Sequence, residues 1–324
     1  MLKRHFWIQA YLLGLIISCA VPALGQSYPA KPVRLIVPWP PVGSNDIAAR
    51  ILAPRMTKIL GQTIVVDNRA GANGIIGSEI VAKATPDGYT IMLNSSTHVA
   101  NASIFRELPY DTLKDFLSIA PVASVPTIVT IYPSLPVRTL QDLVAYARAR
   151  PGRLYYSSGG RGGQTHLPTA LFAKMAGIDI VHVAYKGGGP AIVAVLGGEV
   201  QLMIATMPSV IGHIKAGKLR ALAVTSSQRS LLLPDLPTVA ESGVAGYEMS
   251  AWLGVFAPAG LPGNLVGRLH DEIQRTLKLP DVAMSFSLQG MEPAFGTQPQ
   301  FAAFVQAELK KYATMIKEFG AATE

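Results

Sequence analysis

Four stretches of this sequence place small residues and uncharged hydrogen-bonding side chains directly after short apolar runs. The first is Pro38-Trp39-Pro40-Pro41-Val42-Gly43-Ser44-Asn45-Asp46. A strand that turns straight into a helix leaves free N–H groups at the helix start, and these donors together with the helix dipole favour an anion. The second, Asn94-Ser95-Ser96-Thr97-His98, offers hydroxyl and amide groups that can donate to a carboxylate without burying a charge of their own. The third, Ser157-Ser158-Gly159-Gly160-Arg161-Gly162-Gly163-Gln164-Thr165-His166, is rich enough in glycine for its backbone to approach an anion and wrap it in N–H groups. Tyr185-Lys186-Gly187-Gly188-Gly189-Pro190 repeats the design. Each run is also compatible with an ordinary capped or polar turn, so the chemistry they share is anion capture by neutral donors and no more.

Sharper chemistry finds no support. Gly212-His213-Ile214-Lys215-Ala216-Gly217-Lys218-Leu219 has the spacing of a phosphate loop, but Leu219 replaces the Ser or Thr that would hold magnesium. The first apolar run is not followed by Gly-x-Gly-x-x-Gly, and no Gly-x-Ser-x-Gly nucleophile elbow is present. The six histidines include no His-x-x-x-His pair, so a zinc site is unsupported and no cofactor is expected. His98 and His166 read as hydrogen-bonding or capping residues, and no pair of carboxylates suggests general acid–base work.

The elements that must carry these loops alternate. Residues 34–37, 64–66, 90–93, 154–157, 180–184, 201–205, 220–225 and 252–256 read as strands. Helices are predicted from Ser44–Asp46 onward with a kink at Pro54, and over 75–84, 139–149, 165–176, 190–197, 208–216, 262–278, 281–288 and 298–318. Thr139 and Asp142 form a capping box ahead of one of them. Strands separated by such helices imply parallel α/β sheets, which take ligands beyond the strand C-termini.

The 324 residues, 49% hydrophobic and 15% charged, exclude a disordered, collagen-like or coiled-coil chain. The net charge of +8 is scattered, without the Lys/Arg run that tracks a nucleic-acid backbone, so no nucleic-acid partner is expected. Residues 1–25 read as an export signal: Lys3 and Arg4, an apolar stretch from Trp7 to Val21, then Ala23-Leu24-Gly25 before Gln26. A second reading of that segment takes Ile16-Ile17-Ser18-Cys19 as a lipoprotein box with Cys19 lipidated. Both readings put the mature protein outside the cytoplasm, in the periplasm, where a function must run without ATP or reduced nicotinamide.

Several motifs in order carry a resemblance: Trp39–Arg50, Val66-Asp67-Asn68-Arg69-Ala70-Gly71-Ala72-Asn73-Gly74, Pro86-Asp87-Gly88-Tyr89-Thr90, Leu108-Pro109-Tyr110-Asp111, Tyr185–Ala191 and Leu236-Pro237-Thr238-Val239-Ala240-Glu241-Ser242-Gly243. With them the mature sequence resembles, end to end, the Bug family of extracytoplasmic solute-binding proteins of tripartite tricarboxylate transport systems. The resemblance implies an α/β fold of the two-lobed periplasmic-binding-protein kind (type II), with two parallel-type sheets, flanking helices and two crossover strands. One lobe would comprise residues 26–126 plus 251–324 and the other 127–250, with hinges at Ala123–Tyr132 and Ala251–Ala257. By the same resemblance the ligand lies against Trp39, Pro40, Gly43, Ser44, Asn45, Asp46, Ser95 and Ser96 on one lobe. Facing them would be Ser158, Gly159, Gly162, Gly163 and His166, with Tyr185 and Lys186 nearby.

Three departures stand out. Val42 occupies the first position of the family's usual Gly-Gly pair, which should stiffen that turn. The glycine loop is one residue longer before His166. Ala205 replaces an aspartate that can bind a ligand amino group, so a ligand without an amino group is expected. The resulting expectation is a non-enzymatic, monomeric receptor that captures a small carboxylate between closing lobes and passes it to membrane permease subunits. Input to a sensor kinase is the alternative, and a secreted enzyme using Asp46 and His166 a further one.

Overall fold

Short apolar runs ended by proline, glycine or polar residues form the strands of this computed structural model, which describes residues 28–319. The export segment and Cys19 lie outside the described residues. β1 (Val33–Val37), β2 (Ile64–Asn68) and β3 (Thr90–Ser95) pair in parallel in the order β2-β1-β3. α1 (Ser44–Leu60) follows β1, α2 (Ile75–Ala82) precedes β3, and α3 (Thr97–Ile104) follows it. The kink expected at Pro54 is not an interruption: α1 is continuous, with Leu52, Ala53 and Met56 buried around the proline. Packing of an apolar face outweighs one lost backbone bond. α3 occupies a stretch that reads as a polar turn, because burial rather than sequence period sets it. Six of its eight residues are buried.

β4 (Phe116–Ile131) then runs 16 residues. The second half of the chain repeats the alternation with α4 (Leu140–Arg148), β5 (Tyr155–Ser158), α5 (Leu167–Ala176), β6 (Val181–Ala184) and α6 (Gly188–Leu196). β7 (Leu202–Thr206), α7 (Met207–Lys215) and β8 (Arg220–Val224) complete it. The predicted capping box ahead of α4 is present, Asp142 N–H donating to Thr139 Oγ1 at 3.1 Å and Thr139 N–H to the Asp142 carboxylate at 3.0 Å. The chain returns through β9 (Ser250–Pro258), α8 (Gly263–Leu277), α9 (Pro280–Leu288), β10 (Glu292–Pro293) and α10 (Gln298–Phe319).

The sheet order is β2-β1-β3-β9-β4-β7-β5-β6, with β8 and β10 also on β4. Parallel strands at each end correspond to the two predicted sheets, but they are not separate. β9 and β4 are antiparallel to their neighbours and weld the halves into one mixed sheet. β4 pairs with β9 through its first eleven residues and with β7 and β8 through its last five. Pro121 and Pro126 are tolerated in it where its register with β9 shifts or ends, as prolines in sheets usually are. At the changeover Thr127 and Thr225 bring their hydroxyls to 2.5 Å, and Met249 N–H donates to the Thr225 carbonyl at 2.9 Å. From Lys31 onward the chain forms one compact unit.

Candidate functional site

Turning from strand to helix at the end of β1 buries Ser44, Asn45 and Asp46, all about 1–2% exposed. The N-cap of α1 is Gly43, and no side chain caps the first N–H groups. A buried helix start without partners is a site for something else to fill. The turn itself is braced by Asp46. Its carboxylate accepts from Val42 N–H at 3.0 Å, from Arg50 Nε at 2.9 and 3.0 Å and from Asn68 Nδ2 at 3.0 Å. Burial alone would raise the Asp46 carboxyl, but these donors outweigh it and hold it below the usual carboxylate range. Asp46 therefore shapes the loop and has no oxygen left over for a solute.

Val42 takes φ +70° and is 74% exposed. The turn bends as a glycine would bend it despite the expected stiffening, and a β-branched residue there is strained. Val42→Gly should relieve that strain at some entropic cost, leaving a net gain of about 0.5–1 kcal/mol. A thermal melt showing a lower midpoint for the variant would contradict this.

The loop after β3 is tied to the first. Trp39 Nε1 donates to Asn94 Oδ1 at 2.9 Å, and the same oxygen accepts Ser95 N–H at 2.8 Å. Ser96 donates its N–H to the Trp252 carbonyl, and its hydroxyl faces the buried Tyr312 phenol. Left over at this seam are Asn45 Oδ1 and Ser95 Oγ, both buried and without a hydrogen-bond partner among the described residues.

The glycine loop after β5 corrects an expectation. Its N–H groups do not form an open nest, because each glycine's is taken inside the loop. Gly159 donates to Thr165 Oγ1 at 2.9 Å, Gly160 to Ser158 Oγ at 3.2 Å, Gly162 to His166 Nδ1 at 2.9 Å and Gly163 to the Gly160 carbonyl at 3.4 Å. The glycines serve close approach instead. A Cβ on Gly160 (φ +142°) would lie 2.7 Å from Asn73 Oδ1, and one on Gly162 (φ +65°) 2.0 Å from Ile104 Cδ1. Both neighbours belong to the other half of the molecule. Gly159 packs on the Gly187–Gly188 backbone, and Gly187 on Pro40.

Gln164, between Gly163 and His166, is the residue sequence reasoning missed. Its backbone N–H reaches Thr97 Oγ1 at 3.3 Å and its Nε2 reaches Ser44 Oγ at 3.2 Å, joining the starts of α1, α3 and α5. Its Oε1 is buried and unpartnered. Asn73, at φ +55°, bridges the same seam by donating to Asn101 Oδ1 at 2.8 Å and to the Arg161 carbonyl at 3.1 Å. A glutamine in a glycine run gives no signal of its own.

The other predicted positions scatter. His166 clusters with Tyr156 and His182, whose ring centroids are 6.2 and 4.1 Å from its own; His182, 4.9 Å from Tyr156, is the ring nearest to both. Burial, helped by His182 and Arg161, brings its pKa down to about 3. His182 falls to about 4, for burial first and Arg161 second, and its Nε2 lies 2.6 Å from Ser158 Oγ. Tyr185 turns its phenol to Glu199 at 3.4 Å, and Lys186 is exposed, so neither side chain joins the seam. Ala205 is fully buried in an apolar cluster with Ile128, Met203 and Met207. His98 neither caps nor hydrogen-bonds; it sits among Tyr110, Phe116 and Phe256.

The site thus has helix starts and unpartnered neutral groups facing one another across a seam, and the loops forming it bring no unpaired buried cation. A two-lobed α/β fold with such a seam defines a solute-binding protein. The chain belongs to the Bug family: residues 48–321 match the profile of the tripartite tricarboxylate transporter family receptor (TctC). Protein BugT of Bordetella pertussis (strain Tohama I) is 39% identical over 315 residues, covering 96% of this chain and 97% of that one. Among solved structures, Rpa4515 of R. palustris with adipate superimposes with a TM-score of 0.89 at 36% identity, covering 91% of this chain and 99% of that one. MatC (Rpa3494) from Rhodopseudomonas palustris with bound malate has a TM-score of 0.84 at 29% identity, covering 89% and 100%. No helix among the described residues is long and apolar enough to cross a membrane.

Proposed function

We propose that this protein captures a small carboxylate without an amino group between its lobes and delivers it, in the periplasm, to the permease of a tripartite tricarboxylate transporter. The observation that carries this reading is that Asn45 Oδ1, Ser95 Oγ and Gln164 Oε1, on three loops that hydrogen bonds tie to one another, are all buried and unpartnered among the described residues, beside helix starts that no N-cap side chain caps. Leaving such groups dry and unbonded costs ~1–3 kcal/mol each, and a solute that bonds them removes the cost. Ser95 donates through its hydroxyl. The two amides offer NH₂ or carbonyl according to how they are turned. The bound adipate and malate of the two relatives support an acid as the solute.

The lobes in this reading are 26–126 with 251–324 against 127–250, hinged at 123–132 and 251–257; the Thr127–Thr225 contact beside the first of these segments supports it. Chemistry on the solute is disfavoured. Asp46 has both oxygens bonded, and His166 accepts a backbone N–H at Nδ1, which leaves the proton on Nε2 and no free lone pair for a base.

Thermal melts against adipate, malate, amino acids and sugars test the reading. An acid at 100 times its Kd should add ~2.7 kcal/mol and raise Tm by about 5 °C. A shift with amino acids or sugars alone would overturn it.

A further inference from the structure

A cavity of about 930 Å³ is walled by β4, β9, the segment 294–296 and α10. None of the loop residues of the seam lines it, although Trp252, whose carbonyl accepts the Ser96 N–H, does. Its floor is aromatic: Phe301 is 3% and Trp252 7% exposed, with ring centroids 6.0 Å apart in a T-shaped contact. Phe304 stands at 5.4 Å from Trp252 and remains 42% exposed, and Phe295 at the rim is 55% exposed. Large rings left open to water around a concave space mark a binding surface more often than chance exposure does.

Charge decides what kind of molecule fits. Glu308 is 7% exposed, accepting from Trp252 Nε1 at 2.8 Å and paired with Lys311 at 3.3 Å, so that lysine is already neutralised. Glu248, also lining the cavity, makes no ion pair among the described residues. The balance across the lining is an uncompensated carboxylate beside aromatic faces. A second acid would be repelled, whereas a cation gains from both the carboxylate and the rings. Lys278 already places its ammonium 5.9 Å from the Phe295 centroid.

We propose that this cavity is a second ligand site, separate from the carboxylate seam, which takes a small organic cation with an aromatic or alkyl body. The apolar body packs on Phe301, Phe304 and Trp252 while the ammonium group faces Glu248. The proposal does not depend on the identity of the solute captured at the seam.

Calorimetric titration with phenethylammonium, and with its neutral analogue phenethyl alcohol, tests it in the folded, full chain. Saturable binding of the ammonium at least fivefold tighter than the alcohol is expected. Glu248→Gln should erase that preference, and Phe304→Ala should weaken both compounds about tenfold; both residues are exposed, and circular dichroism verifies the fold of each variant. Absence of saturable binding, binding indifferent to both substitutions, or displacement of phenethylammonium by adipate would each overturn the proposal. The last outcome would place the cation in the seam. A failed adipate melt beside successful ammonium binding would strike only the carboxylate reading.

Discussion

A Gly162→Ala protein is expected to fold and to lose at least 100-fold of its affinity for the acid that stabilises the wild type. Two costs combine at this position. At φ +65° an L side chain is strained by ~1–2 kcal/mol, and the new methyl would sit 2.0 Å from Ile104 Cδ1 across the seam. In the closing motion proposed above the contact would be lost when the halves part, so its steric cost would fall on the closed state alone, whereas the backbone strain is common to both states. A 100-fold loss corresponds to ~2.7 kcal/mol, which the steric term against Ile104 has to supply. Titration of wild type and variant with adipate, or whichever acid of the panel binds, measures it. Adding Ile104→Ala removes the opposing atoms and should restore part of the affinity, giving a double-mutant cycle with a favourable coupling term. A Gly162→Ala protein that binds as tightly as the wild type would show that the glycine loop does not govern closure.

The second large effect concerns acid. His98, fully buried, has its pKa brought down to about 3 by desolvation, and His166 and His182 fall to about 3 and about 4. In an unfolded chain these rings titrate near 6.5. Between those values the unfolded state binds more protons than the folded one, so stability is full above pH ~6.5 and declines as pH falls toward about 3. His98 gains nothing in return, since neither ring nitrogen has a hydrogen-bond partner among the described residues and its neighbours are Tyr110, Phe116 and Phe256. His98→Phe keeps the aromatic contacts and removes two buried unsatisfied atoms. The variant should be more stable by ~1–3 kcal/mol at pH 7 and by roughly 3 kcal/mol more at pH 4. Urea unfolding at the two pH values reads both numbers. A stability difference that is the same at pH 4 and pH 7 would mean that His98 does not titrate in this way.

Much of the fold is legible from local pattern. The β-branched runs before Pro38 and after Lys31, the capping residues Thr139 and Asp142, and Pro190 early in α6 all act within a few residues of where they stand. Two features escape such reading because distant packing sets them. α3 is helical through burial on both sides, and β4 continues through Pro121 and Pro126 because its pairing with β9 shifts register at the first and ends at the second.

The loops of the site are equally visible as polar and glycine-rich stretches, but their division of labour is not. Composition makes Gly159–Gly163 look like an anion nest, whereas Thr165 and His166, a few residues on, consume two of those donors. Asp46 looks available for the same reason; its partners Arg50 and Asn68 come from one turn along the helix and from β2. Gln164 gains its role only by meeting Ser44 and Thr97 from far along the chain.

The length of β4 has a further consequence. Because one unbroken central strand supplies ladder bonds to both halves of the sheet, severing the polypeptide near Pro126 would deprive each fragment of an edge it needs. The halves are therefore poor candidates for separate expression, and heat or denaturant should melt them together. The closing motion proposed above would therefore have to twist this shared strand.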